Sequence, residues 1–177
     1  MQDQHLPALI APFKLARQGQ SLNGVVSVAG LERLATVLSD SNGRIEVSLQ
    51  FGKDLQGINF VRGHLSAEVN MICQRCMKPM PVHAEADVSL GIVSSDERAA
   101  LLPESFEALI VEEEPIALAS IIEDELILAL PIVALHEDQA CEPVLVKLQA
   151  EAEANEIEQA EQKVSPFAAL SGLKQQH

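Results

Sequence analysis

Two long runs of alternating polarity, separated by a short Cys-x-x-Cys segment, constrain this chain more than any other feature. From Ile58 to about Ile72, Leu65, Ala67, Val69 and Met71 fall on one side and His64, Ser66, Glu68 and Asn70 on the other. Residues 82–92 repeat the pattern, with Val82, Ala84, Ala86, Val88, Leu90 and Ile92 alternating with His83, Glu85, Asp87 and Ser89. Successive side chains of a strand point to opposite faces, so a period of two over this length predicts two half-buried strands. The segment between them, Cys73-Gln-Arg-Cys76-Met-Lys-Pro-Met80, is then the tip of an antiparallel hairpin. A third run, 45–51, alternates Ile45, Val47, Leu49 and Phe51 with Glu46, Ser48 and Gln50, and a turn over Gly52–Gly57 follows it. Gly63 reads as a bulge in the second strand.

The remaining elements are shorter. The start, punctuated by Pro7 and Pro12, reads as irregular, whereas Leu31, Leu34, Ala35 and Leu38 have the spacing of one helical face. Beyond Ser94 the pattern predicts a short helical stretch near Asp96–Leu101, a strand around Phe106–Val111, and a helix from about Ile116 to Leu130. Pro115 suits that helix's first turn and Pro131 ends it. The expected fold is α+β: an antiparallel β-sheet core with a few helices packed on it and a flexible C-terminal tail. Residues 1–141 would form a single domain, β-rich over 1–93 and acidic and helical over 94–141. Residues 142–164 read as an acidic linker or exposed helix. Residues 165–174 read as a short amphipathic helix, capped by Ser165 and presenting Phe167, Leu170 and Leu173 on one face, which docks either on its own core or in a partner's groove.

Charge limits the partners. The formal net charge is -14, from 26 acids and 12 Lys and Arg. Residues 99–146 contain eleven of the acids and no Lys or Arg, whereas residues 1–98 are nearly balanced, with ten acids and nine bases. The acidic block is either a solvated face that keeps the protein soluble or a surface for a basic partner, with Glu112, Glu113 and Glu114 as candidate contacts. Phosphate backbones repel such a chain unless its bases are segregated. Arg62, Arg75 and Lys78, around the hairpin, are the candidates for direct RNA contact, and ordinary solvated surface is the other reading of them. Aromatics are 3% of the chain, with neither Trp nor Tyr, so a surface of stacked rings is not expected. Three cysteines do not make a disulfide scaffold, and Met-Gln-Asp-Gln-His lacks a secretory signal's basic and apolar regions, so a cytoplasmic location is expected. The most apolar window, Ile116–Leu135, is interrupted by Glu123, Asp124 and Glu125, which argues against a membrane span.

Cys73 and Cys76, joined by His136 and Cys141, supply a Cys3His donor set whose softness suits one Zn2+. The second pair begins sixty residues after Cys76, so only tertiary packing can unite the four. Thiols in a reducing compartment are the alternative reading. A redox dithiol would stand at the start of a helix, whereas this pair follows a strand into a turn. Glu123, Asp124 and Glu125 are consecutive on the proposed helix and point about 100° apart, so they do not converge as a two-metal nuclease requires. Phosphate-loop, zincin and esterase motifs are absent from the sequence. Neither a catalytic set nor a small-molecule substrate is predicted.

Three ordered motifs carry a resemblance. They are Cys73-Gln-Arg-Cys76-x-Lys-Pro, then Glu123-Asp-Glu-Leu-Ile-Leu-Ala-Leu-Pro131 followed by His136, and finally Pro166-Phe-Ala-x-Leu-x-x-Leu-Lys174. Together they resemble the YceD family, the bacterial large ribosomal RNA subunit accumulation proteins, from about Leu6 to Lys174. Ser165 stands where the family pattern has Asn, a change that keeps the helix cap. The resemblance implies a non-enzymatic role in synthesis, processing or stability of 23S rRNA, and hence in large-subunit assembly. With the acidity, it points to a basic large-subunit ribosomal protein or a pre-50S particle as partner, with 23S rRNA touched directly or indirectly. A direct rRNA-binding factor and an rRNA-processing nuclease are the rival readings.

Overall fold

The computed structural model describes residues 6–137 and Cys141. The acidic 142–164 segment and the helix expected over 165–174, with Phe167, Leu170 and Leu173, lie outside the described residues. Two compact units are distinguished: Met1–Cys73 with Lys78–Ala134, and Gln74–Met77 with Leu135–His177.

The first unit is built on the hairpin. Strands β1 (Leu9–Ile10), β2 (Ser21–Ser27), β3 (Arg44–Lys53), β4 (Asn59–Ile72), β5 (Pro79–Val93), β6 (Glu107–Ile110) and β7 (Ile116–Ala117) alternate with helices α1 (Pro12–Gln18), α2 (Glu32–Val37), α3 (Asp96–Ala99) and α4 (Leu118–Ala129). A single 3-10 turn, Val28–Gly30, precedes α2. The main sheet runs β2-β3-β4-β5-β6, and β1 pairs with β7 in a separate ribbon. Pairing is antiparallel from β2 to β5, whereas β6 adds parallel to β5. The β4–β5 register runs unbroken from Asn59 opposite Ile92 to Ile72 opposite Pro79. The Cys73 N–H donates to the Lys78 carbonyl at 2.9 Å and closes the ladder.

The alternation seen in the sequence becomes burial. Ile45, Val47, Leu49 and Phe51 of β3, and Val61, Leu65, Ala67 and Val69 of β4, are buried in one core with Ala84, Ala86, Val88, Leu90 and Ile92 of β5. Helix α1 packs against β3 and β4, α4 against β4 and β5, and α2 against α4. Ile121, Ile122 and Leu126 of α4 are nearly inaccessible, and burying side chains of this size stabilises by about 1.5–3 kcal/mol each.

Three local expectations change. Gly63 is not a bulge: it pairs with Leu49 and with Val88 in continuous register. A methyl group there would run into the Ser48 carbonyl and come within 2.9 Å of Leu49 Cα, so the glycine permits close approach of two strands. The stretch expected to be irregular contains α1 and β2. Helix α1 has Pro at its first position and ends at Gly19, φ 60°, whose N–H bonds the Ala16 carbonyl while Gln20 bonds Leu15. That is a Schellman closure, which needs a left-handed residue that glycine supplies at low cost. Finally, Pro115 lies before β7 rather than in the first turn of α4: Ile116 and Ala117 pair with Ile10 and Leu9, and the helix begins at Leu118.

Candidate metal centre

The hairpin delivers Cys73 and Cys76 as its strands run out of partners. Beyond Ile72 the backbone turns through Gln74, Arg75 and Cys76 to Met77, which takes the left-handed conformation with φ 57°. Cys73 and Cys76 are buried, while His136 and Cys141 are half-buried. Helix α4 ends at Ala129, its C-cap Leu130 is extended, and Pro131 forbids another turn, so the chain leaves the helix toward His136.

The four residues that the sequence offered as a donor set lie together. Their ligand atoms, three Sγ and one imidazole nitrogen, all lie within 4.8 Å of one another. Cys76 Sγ and His136 Nδ1 are 3.5 Å apart. With Zn–S of about 2.3 Å and Zn–N of about 2.0–2.1 Å, a regular tetrahedron has S–N edges of about 3.5 Å and S–S edges of about 3.8 Å. One edge therefore already has the length a tetrahedral ion would impose, and the widest needs a contraction of only about 1 Å. Among the described residues, this is the one group of three or more His, Cys, Asp or Glu side chains gathered closely enough to hold a metal ion. None of its thiols is in a disulfide.

Arg75, between the two cysteines of the tip, is held within this cluster. Its Nε–H donates to Cys141 Sγ at 3.1 Å, and Nη2 donates to the carbonyls of His136 at 3.2 Å and Glu137 at 3.4 Å.

Comparison with known proteins agrees with this arrangement of motifs. A family described as "Large ribosomal RNA subunit accumulation protein YceD" matches residues 61–174. A Haemophilus influenzae protein with the same name is 35% identical over 180 residues, covering 99% of this chain and 99% of its own length. The chain belongs to the YceD family. No solved structure matches it.

In this YceD-family chain the three candidate RNA-contacting bases are not gathered in one patch. Arg62 lies ten residues before Ile72, about 33 Å along an extended strand from the tip. Its guanidinium stands 5.0 Å from the Phe60 ring centroid and 4.7 Å from that of Phe106. Lys78 is exposed at the tip, and Arg75 is engaged as described.

The acidic residues divide as well. Glu112 and Glu113 are exposed, but the Glu114 carboxylate accepts the Phe13 N–H at 2.6 Å. Glu123 is buried and accepts the N–H groups of Arg33 at 2.7 Å and Leu34 at 3.3 Å. Asp124 pairs with the Arg33 guanidinium at 2.7 Å. The Glu125 carboxyl is held above its ordinary range by partial burial, and further by the charges of Glu107 and Asp124. The sequence reading missed the structural work of Arg75, Glu114 and Glu123. Only Arg75 carried a local signal, its position inside the Cys-x-x-Cys.

Proposed function

We propose that this protein is a non-enzymatic cytoplasmic factor that supports accumulation of 23S rRNA and assembly of the large ribosomal subunit. The observation that carries the reading is end-to-end similarity to a protein named for large ribosomal RNA subunit accumulation. The acidic 99–146 block supports a basic large-subunit ribosomal protein, free or on a pre-50S particle, as the partner. A nuclease reading finds little support, because Glu123 and Asp124 are spent on the start of α2 and on Arg33. The Cys3His cluster is read as a closed structural Zn2+ site, since four protein donors leave no position for a reacting water. No helix among the described residues is long and apolar enough to cross a membrane.

Deleting the gene tests the main reading: 23S rRNA should fall relative to 16S rRNA and large-subunit precursors should accumulate in gradients. Unchanged rRNA ratios and subunit profiles, including under cold stress, overturn it. Elemental analysis of protein purified without chelator tests the metal, with about one zinc per chain expected. Metal-free protein whose stability is unchanged by added zinc overturns that part.

A further inference from the structure

One side chain at the hairpin tip reaches the far half of the ligand set. Cys73 and Cys76 are positioned by the hairpin, whereas the described residues His136, Glu137 and Cys141 lie outside any strand or helix. Arg75 supplies three donors to that segment: one to the sulfur of Cys141 and two to the consecutive carbonyls of His136 and Glu137. The carbonyl bonds fix the backbone that carries the His136 imidazole, whose Nδ1 lies against Cys76 Sγ. A planar guanidinium can hold several acceptors in fixed directions at once, which an ammonium on a flexible stem does less well.

Charge gives the same residue a second task. Three thiolates and a neutral imidazole around a divalent zinc leave one net negative charge, in a cluster whose first two cysteines are buried. An unpaired buried charge is costly, and a cation donating to one of the sulfurs offsets it. Outer-sphere partners of this kind orient metal ligands, and losing one typically weakens metal binding about 10- to 100-fold.

We propose that Arg75 is the positioning residue of a Cys3His zinc centre: it pre-forms the His136–Cys141 half of the site through two carbonyls and neutralises the metal-thiolate charge through the Cys141 sulfur. The proposal rests on reading the cluster as a metal site, and its ligand is a thiophilic divalent cation bound in tetrahedral geometry. Arg75 touches no metal itself in this scheme, so its removal should leave the four-donor set intact but looser.

The test uses the full chain with Zn2+ and, as a spectroscopic probe, Co2+. Wild type, Arg75→Ala and Arg75→Lys are titrated against a chromophoric chelator, and the metal-free thermal transition is measured for each. Wild type should bind one ion and, with Co2+, show the strong visible d–d bands of a tetrahedral thiolate site. Arg75→Ala should keep tetrahedral bands, bind Zn2+ about 10- to 100-fold more weakly, and shift the sulfur-to-cobalt charge-transfer band as one thiolate loses its N–H donor. Arg75→Lys should recover part of the affinity by restoring the charge. If wild type binds metal and Arg75→Ala binds it equally well with the same charge-transfer energy, the role assigned to Arg75 is wrong while the metal site stands. If wild type binds neither ion, the metal reading itself fails. A loss of affinity in Arg75→Ala that follows only from a lowered metal-free transition, with no spectral shift and no recovery in Arg75→Lys, also overturns the proposal.

Discussion

Glu123 Oε1 accepts the backbone N–H of Arg33 at 2.7 Å, so a residue of α4 caps a helix ninety positions earlier in the chain. Helix α2 begins after Leu31, whose side chain has no oxygen to offer. Arg33 and Leu34 are its second and third helical residues, the donors that a capping Ser or Asp would ordinarily serve. Helix α1 has the same deficiency and the same remedy. It starts after Ala11, and Glu114 accepts the N–H of its second residue, Phe13. Part of the acidic block is therefore internal scaffolding, placed where helix N-termini favour negative charge.

The first prediction concerns that cap. Glu123→Ala leaves two buried or half-buried N–H groups without their acceptor and should cost about 1–3 kcal/mol in urea unfolding. Glu123→Gln keeps one oxygen and should cost less. A Glu123→Ala protein as stable as wild type would remove the tertiary cap from the account.

The second concerns pH. Burial, then the charges of Glu107 and Asp124, raise the Glu125 carboxyl above its ordinary 4.5, so the folded chain holds this proton more tightly than the unfolded one. Its favourable contribution is complete below the unfolded value and is lost as pH rises through the folded value. At neutral pH the charged carboxylate therefore opposes folding. Glu125→Gln should raise Tm at pH 7 and flatten the decline in stability above about pH 4.5. Thermal melts from pH 4 to 8 check this, and a variant Tm at pH 7 no higher than wild type contradicts it.

What was readable in the sequence follows from these relationships. β3, β4 and β5 each bury one face, so their polarity alternates and declares them. β2 is an edge strand whose inward residues Leu22, Gly24 and Val26 are only half-buried, while Val25 on the other face is exposed. Its alternation is blurred by a glycine on one side and a valine on the other. Helix α1 is too short to establish a period, although Pro12 and Gly19 bracket it. The identities of the four cluster residues were legible because few residue types bind zinc. Their meeting was not, because a long separation in sequence is closed only by the packed fold. The caps made by Glu114 and Glu123 were hidden for the same reason, since a sequence shows a charge but not the N–H it faces.

A third prediction addresses the tip. Met77 holds φ 57° and is 61% exposed. A left-handed conformation costs a non-glycine residue about 1–2 kcal/mol, of which glycine's greater freedom in the unfolded chain returns about 0.4–1 kcal/mol. Met77→Gly should therefore gain up to about 1.6 kcal/mol, whereas Met77→Ala, which keeps the strain, should gain nothing. If the glycine variant melts below the alanine variant, backbone strain at Met77 is not what limits the tip.

The last prediction separates the two classes of partner. A basic ribosomal protein held by the acidic block and an RNA held by surface bases both weaken in salt, so only opposed mutations distinguish them. Glu114 is unsuitable for this purpose because its carboxylate caps α1, and Arg75 is unsuitable because it clamps the Cys3His segment. The pairs that remain are Glu112→Gln with Glu113→Gln, both exposed, and Arg62→Gln with Lys78→Gln, also exposed; because the Arg62 guanidinium stands over Phe60 and Phe106, the melting temperature of the basic pair is measured alongside. On the escort reading the glutamate pair should weaken capture of a basic large-subunit protein at low salt, by roughly threefold per charge. It should also leave RNA association unchanged or slightly stronger, while the basic pair leaves protein capture intact. Crosslinking with mass spectrometry and RNA sequencing from one sample reads both contacts. If the glutamate variant keeps every ribosomal-protein partner while the basic variant leaves the pre-50S particle, the escort reading is wrong, and direct rRNA contact through Arg62 or Lys78 takes its place.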